Sequence, residues 1–588
     1  MAFQDFDQIS ERRRQERQRK LRKRILIVSF TGIFCVALVV AAAVEIVKNN
    51  KKASNGASHS SPNAPQKQVS HIQQVIKSVC NSTMYKDECQ SSLEKAVEKN
   101  PSATQTKDLL KFAITAINDE VESVSKKIST FQFNNPREKA AFVDCQKLIK
   151  DALEELNETI SHAGGDLDTL TVRSRDMNTW LSAVMSYQET CIDGFPNGTM
   201  KTQMEKTFTA AKQLTSNSLA IVTEITSLLS MFESGAGSRR LLNVGSKSSA
   251  LEKGKFPSWM SHEDRRMLKG ADKDHPTPNV TVAVDGSGQF TTISAALAAM
   301  PETYKGRYII YVKAGVYNES PFVSKKMINV TMYGDGSQKS IITGSKSYVD
   351  GIQAYQTATF AVEGDGFVAQ ALGFRNTAGP TGHEALAIRV QSDRAIFLNC
   401  RFEGYQGTLY AQTHRQFYRS CVITGTIDFI AGDASAVFQN CLITVRKPME
   451  EQRNVITSQS RSDPKENTGF VLQNCKIDAD PELTPVKDTV DSYLGRPPKG
   501  YSRTVIMESS IDDFINPAGF IPFMGNYGLK TLYYAEFNNS GPGASTRNRV
   551  KWPGYHVISS KVAGTFTVQP FIQGDWITAV GAPVHFGL

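Results

Sequence analysis

Residues 404–433, GYQGTLYAQTHRQFYRSCVITGTIDFIAGD, set a Gln–Gly pair (Gln406, Gly407) at a glycine-flanked turn and one carboxylate, Asp428, in an apolar run. A buried carboxylate is costly unless it is paired or hydrogen-bonded. Asp428 is therefore either a reacting group or a structural aspartate with its partners supplied. Other chemistries fail on residue type and spacing. The nine histidines are scattered, with no H-E-x-x-H and no Cys/His cluster at metal-ligand spacing. G-x-S-x-G is absent, which removes the α/β-hydrolase nucleophile. Carboxylates, amides and arginines are left to carry chemistry.

The surrounding elements have to position those groups. From about 276 to 588, short strand-like runs alternate with Gly, Asn and Asp turns. FLNCRF (397–402), YRSCVI (418–423), FQNCLI (438–443) and LQNCKI (472–477) recur, and Cys400, Cys421 and Cys441 stand 21 and 20 residues apart. A period near twenty with one strand-like unit predicts a solenoid, here a right-handed parallel β-helix. In such a stack the repeated Asn and Cys are structural.

The 588 residues exceed one ordinary domain. Residues 1–24 hold nine Lys/Arg and four Asp/Glu, five of the net +9 charges. Residues 25–44, ILIVSFTGIFCVALVVAAAV, carry no charge. They are long enough to span a bilayer core of roughly 30 Å. Basic residues just before them predict a signal anchor with a cytosolic N-terminus, not a nucleic-acid-binding tail. Everything beyond about residue 50 is then expected in the secretory lumen or outside. Seven N-x-S/T sequons agree (Asn81, Asn157, Asn197, Asn279, Asn318, Asn329, Asn538), as do eight cysteines beyond the anchor.

Residues 45–70 read as a polar stalk. From 71 to 232 the apolar residues recur at steps of three and four, as in Leu110, Ile114, Ile117, Val121, Val124 and Ile128. An all-α four-helix bundle follows. Its cysteines form a close pair, Cys80 and Cys89, and a distant pair, Cys145 and Cys191. Of the three possible connectivities, those two pairs are the simplest. Residues 233–275 form a basic, small-residue linker with dibasic SRRLL (Arg239, Arg240) and DRRML (Arg265, Arg266).

IKSVCNSTMYKDECQSSL, FVDCQKLIKDALEEL and WLSAVMSYQETCIDGF make 71–232 resemble the plant invertase and pectin methylesterase inhibitor family. That resemblance supports the Cys80–Cys89 and Cys145–Cys191 disulfides. Residues 276–588 resemble a plant pectin methylesterase from end to end. The carriers are VAVDGSGQFTTISAALAAMP, YVKAGVYNES, the long stretch 379–434, SYLGRPPKGYSRTV and TLYYAEFNNSGPGASTRNRVKWPGYHVI. The resemblance implies hydrolysis of galacturonate methyl esters in cell-wall homogalacturonan, without metal or cofactor. It also implies a subtilisin-like protease cutting the linker, and a mature domain in the cell wall. A Cys441–Cys475 disulfide follows by the same analogy.

Carried over position by position, Asp428 in IDFIAG matches the nucleophile, Gln406 an oxyanion amide and Arg496 in YLGRPP the arginine that fixes the nucleophile. Four positions depart. Gly407 stands at the acid/base Asp, Glu384 at the first oxyanion Gln, Pro498 at a substrate-stacking Trp, and Ala431 at a Phe beside the nucleophile. The alternative is a catalytically impaired, pectin-binding or regulatory homologue. A glycosidase or lyase on the same polymer is disfavoured: the NTD, DD, GHG and RIK motifs of polygalacturonases are missing as a set, and there is no clustered Asp calcium site of a lyase.

Overall fold

The computed structural model describes residues 64–100, 106–163, 167–233 and 277–588. The apolar segment 25–44, the basic tail and the dibasic sites at Arg239, Arg240, Arg265 and Arg266 lie outside them. Among the described residues no helix is long and apolar enough to cross a membrane.

Among the described residues six helices precede the strands: α1 (Ala64–Cys80), α2 (Lys86–Lys99), α3 (Thr106–Ile128), α4 (Pro136–Ala163), α5 (Leu167–Asp193) and α6 (Thr199–Glu233). The last four are the long bundle helices. The first two add to the expected four, and α1 begins at Ala64, inside the segment read as stalk. After Pro65 no Gly or Pro interrupts that run, so a polar sequence of adequate helix formers continues outward. The periodic residues of α3 are buried, as are Cys145, Leu148, Ala152 and Leu156 of α4. Cys80–Cys89 ties α1 to α2 and Cys145–Cys191 ties α4 to α5. The C-terminal half of α5 is buried almost all round, its polar residues Thr179, Ser182, Ser186 and Gln188 included. Their partners explain this. Ser186 Oγ donates to the Gln412 carbonyl at 3.2 Å and Thr179 Oγ1 accepts from Asn467 Nδ2 at 2.9 Å, so α5 is packed between the other helices and the strands.

The C-terminal half is a parallel β-helix of three sheets with eleven, seven and eight strands. Strands Ala395–Leu398, Arg415–Arg419, Ser435–Gln439 and Gly469–Gln473 stack in parallel register, one per coil. The repeated fragments end each of these strands at a corner. Asn399, Ser420, Asn440 and Asn474 hold φ between 52° and 58° there, a left-handed conformation that asparagine tolerates better than most residues. Each corner turns the following cysteine inward. Cys400, Cys421, Cys441 and Cys475 are buried free thiols. The expected Cys441–Cys475 bond is therefore not made. Each sulfur is turned onto the backbone of the preceding coil, Cys441 Sγ to the Tyr418 carbonyl (3.6 Å) and Cys475 Sγ to that of Phe438 (3.3 Å).

The β-helix core runs from Val282 to Tyr534 and contains no bundle residue, whereas the bundle core takes in Tyr355 and, partly, Tyr410 of the β-helix. A half with its own complete core has what it needs to fold alone.

Candidate active site

The site lies on the seven-stranded sheet. Its order is Ser492–Gly495, Asn454–Gln459, Ile427–Gly432, Leu409–Ala411, Ile388–Val390, Phe360–Val362 and Phe322–Val323. Asp428 sits on the third strand with φ 48°, where pairing to the neighbouring strand slips between Ile427 and Ile430. A bulge of this kind re-aims a side chain. The carboxylate meets Arg496 in a two-pronged pair. Nε donates to Oδ1 at 2.8 Å and Nη2 to Oδ2 at 2.6 Å. Burial pushes the Asp428 carboxyl up from its ordinary value, against the Arg496 guanidinium and the Ser458 hydroxyl. Its side chain keeps 19% exposure, which leaves an oxygen face accessible from the cavity.

On the adjacent coils, Glu384 and Gln406 form an isolated parallel bridge. Gln406 Nε2 donates to Glu384 Oε1 at 2.8 Å. An amide nitrogen has two hydrogens, so the second stays available to a developing oxyanion. Gly407 has φ 75°, and a Cβ there would lie 3.0 Å from Leu386 Cδ2. The turn is shaped for glycine, and no carboxylate occupies that corner. Glu384, Gln406, Gly407, Asp428, Ala431 and Pro498 all line one cavity of about 480 Å³.

Sequence reasoning did not find the aromatic lining of that cavity: Tyr348, Tyr355, Tyr410 and Phe523. Phe523 is the aromatic beside the arginine, its ring centroid 4.8 Å from the Arg496 guanidinium carbon, where Pro498 offers no ring. These residues fall in ordinary strand or turn patterns, so composition gave no signal.

The bundle closes the same cavity. Asp144 and Leu148 of α4, with Thr190, Asp193 and Phe195 at the end of α5, line it opposite Asp428. Asp144 accepts from Gln356 Nε2 at 2.6 Å, the Gln353 amide donates to the Arg137 carbonyl at 2.7 Å, and Thr190 Oγ1 is 3.3 Å from the Tyr410 hydroxyl. None of this contact is visible in the sequence, because the helix faces involved are polar and the partners lie far along the chain.

The pectinesterase family model matches residues 279–575, about half of the chain, over the strands that carry this site. The chain belongs to the pectinesterase family. The plant invertase/pectin methylesterase inhibitor model matches residues 74–221, the bundle. Over an alignment of 609 residues covering 100% of both chains, the pectinesterase-family chain is 47% identical to "Putative pectinesterase/pectinesterase inhibitor 45" of Arabidopsis thaliana. It is 41% identical to "Pectinesterase 3" of Citrus sinensis over 530 residues, covering 87% of this chain and 88% of that one. A solved pectin methylesterase from carrot superposes with a TM-score of 0.53 at 48% identity, over 54% of this chain and 99% of that one. Pectinesterases are carboxylic ester hydrolases. The arginine-held aspartate and the Gln406 amide suit that class.

Proposed function

We propose that the β-helix hydrolyses the methyl esters of galacturonate units in homogalacturonan, leaving pectate and methanol, and that the bundle is an inhibitor-like pro-region. One observation carries this reading: the Asp428 carboxylate, clamped by Arg496, faces a cavity that also holds Gln406 and Glu384. An Asp428 oxygen attacks the ester carbonyl carbon, and the Gln406 amide stabilises the oxyanion where charge develops. The C–O bond to methoxide then breaks. Methoxide is a poor leaving group and needs a proton. Glu384 supplies it, since Gly407 has no side chain to do so. The product is methanol and a mixed anhydride between Asp428 and the galacturonate. Water then gives a proton back to Glu384 and attacks the galacturonyl carbon, which frees Asp428 and the acid.

The precursor is membrane-anchored through residues 25–44 with its C-terminal side in the secretory lumen. A subtilisin-like protease cuts at Arg239–Arg240 or Arg265–Arg266, and the mature β-helix acts in the cell wall. The charge pattern around the apolar segment and the sequons support this. Asn81, Asn157, Asn197, Asn318 and Asn538 are exposed; Asn279 is exposed too, but its side-chain oxygen accepts from the Ile309 amide (2.8 Å), and Asn329 is half-buried at a corner. The first five are the preferred glycan acceptors. Methanol release from methyl-esterified pectin by residues 277–588 tests the activity. No release above the Asp428→Asn background would leave a pectin-binding homologue instead.

A further inference from the structure

Ion pairs between the bundle and the β-helix run almost wholly one way. The β-helix supplies the cations. Lys325 Nζ lies 3.3 Å from both Glu154 Oε2 and Glu155 Oε1 and 3.7 Å from Asp151 Oδ1. Arg415 and Arg394 reach Asp176 Oδ1 at 2.8 and 3.6 Å. Lys499 Nζ lies 2.7 Å from Glu189 Oε2 and 2.9 Å from Asp193 Oδ2. His414 Nε2 adds a contact to Glu155 at 3.5 Å. One ion pair runs the other way, Lys147 of the bundle to Glu363 at 2.8 Å.

The cations are not equivalent. Arg415 and Arg394 also meet Asp393 of their own half, at 2.6 and 3.5 Å, so they keep a counter-charge without the bundle. Every ion-pair partner of Lys325 and of Lys499 is on the bundle. With the bundle gone, two ammonium groups that it covers are uncovered without carboxylates. Uncompensated cations on that surface attract an anion.

Their placement says which anion. Lys499 follows Ser492–Gly495 at one edge of the seven-stranded sheet, and Lys325 follows Phe322–Val323 at the other. The Asp428 strand lies two strand steps from the first edge and four from the second. At about 4.8 Å per step those offsets are roughly 10 Å and 19 Å. The nucleophile therefore works between two cationic ends, and each turnover there leaves a new carboxylate on the same polymer.

We propose that Lys325 and Lys499 bind free carboxylates of a polyuronate chain laid along the sheet, on either side of the esterified unit at Asp428. The bundle carboxylates Asp151, Glu154, Glu155, Glu189 and Asp193 occupy those two positions by charge mimicry. The proposal rests on the esterase reading. It adds that the groove takes partly de-esterified galacturonan, held by its own product groups.

The test uses residues 277–588 and polygalacturonic acid, which has no ester, followed by calorimetry. The segment binds the polymer and the full chain does not. Lys325→Gln and Lys499→Gln each weaken binding by about 3- to 10-fold and flatten its salt dependence, and Lys→Arg at either position restores it. Unchanged affinity in both Gln variants, with melting curves like the parent, overturns the proposal. So does a full chain that binds as tightly as the segment. As a second measurement, the full chain nicked once in the linker sheds its bundle on gel filtration when polygalacturonate is added, and keeps it with a neutral glucan. Retention of the bundle in excess polygalacturonate also overturns the proposal. Failure of the esterase reading looks different: polymer binding persists, sensitive to both lysines, while no pectin yields methanol.

Discussion

The two halves bury cysteine in opposite ways. In the bundle, sulfurs from different helices meet across an interface and bond, Cys80 to Cys89 and Cys145 to Cys191. In the β-helix, the repeat puts one cysteine on each of four coils after a left-handed corner, and all four stay thiols. Aromatic residues follow the same stacking rule. Phe397, Tyr418 and Phe438 lie face to face with centroid separations of 4.9 and 4.6 Å. A repeating coil sets like on like, so a residue type that recurs there reports packing. In a bundle it reports a specific partner. An even number of cysteines does not by itself imply a bond.

The same comparison assigns chemistry to one half and covering to the other, and the largest expected effects test that division. Asp428→Asn in residues 277–588 should lower methanol release by at least about 10³-fold, measured as kcat/KM, because it removes the attacking group. A loss under tenfold would move the chemistry elsewhere. Glu384→Gln should cost about 10²- to 10⁴-fold, as expected when a general acid is removed. Adding Gly407→Asp to it should recover part of that loss, despite the tight approach to Leu386. If Glu384→Gln raises the rate instead, Glu384 is an obstruction and not the acid.

Removing the bundle should raise methanol release from pectin at least about tenfold over the full chain, since the competent fraction grows once the cavity opens. Equal rates would mean that the bundle leaves the site free.

Covalent and stacked sulfurs should also part company in stability. From loop closure, the Cys145–Cys191 bond, whose ends are 46 positions apart in sequence, is worth about 4 kcal/mol. Cys421→Ala should cost the β-helix only about 1–2 kcal/mol, the scale of a small core deletion. Reductant should therefore lower the melting of the bundle and leave that of 277–588 unchanged.

The smallest effect is in pH. His414 is buried, which pulls its pKa down, but Glu155, Asp393 and Asp365 outweigh this and raise it to about 9. A raised group stabilises fully below its unfolded value of 6.5 and loses that contribution as pH climbs through 9. Glu189, against its burial, is lowered to about 2 by Lys499 and Lys212. Its contribution is present above 4.5 and is lost as pH falls through 2. The full chain should be most resistant to heat between these limits, from about pH 4.5 to 6.5. Burial works against the Glu155 carboxylate, but His414 and Lys325 hold its pKa below the ordinary value, so Glu155→Gln should remove part of the alkaline slope and part of the acidic one.

Much of the fold was legible because both halves advertise a period: three and four for α3 and α4, about twenty for the coils. The second half of α5 was not. Buried Ser182, Ser186 and Thr179 look like a solvated face until their partners on the β-helix are known. Asp428, Gln406 and Arg496 could be placed only by likeness to a family, since no local pattern says that residues 428 and 496 meet. Gly407 and Glu384 were legible as departures, whereas the hydrogen bond that joins Glu384 to Gln406 required the stacking of two coils. Lys325 and Lys499 looked like ordinary surface lysines, because their partners lie more than a hundred residues upstream in another kind of structure. The Cys441–Cys475 bond was the error, and the repeat that placed those residues already contained the reason.

The borrowed tyrosines bear on the order of synthesis. The bundle core includes Tyr355 and leans on Tyr410, and both are translated well after α6 ends at Glu233. At roughly 5–20 residues per second, the gap of about 120 residues to Tyr355 takes some 6 to 25 s. For that interval the newborn bundle has all its helices and lacks part of its interior. It completes itself only on the growing β-helix, so the cover is fitted to the groove while the groove is still being made.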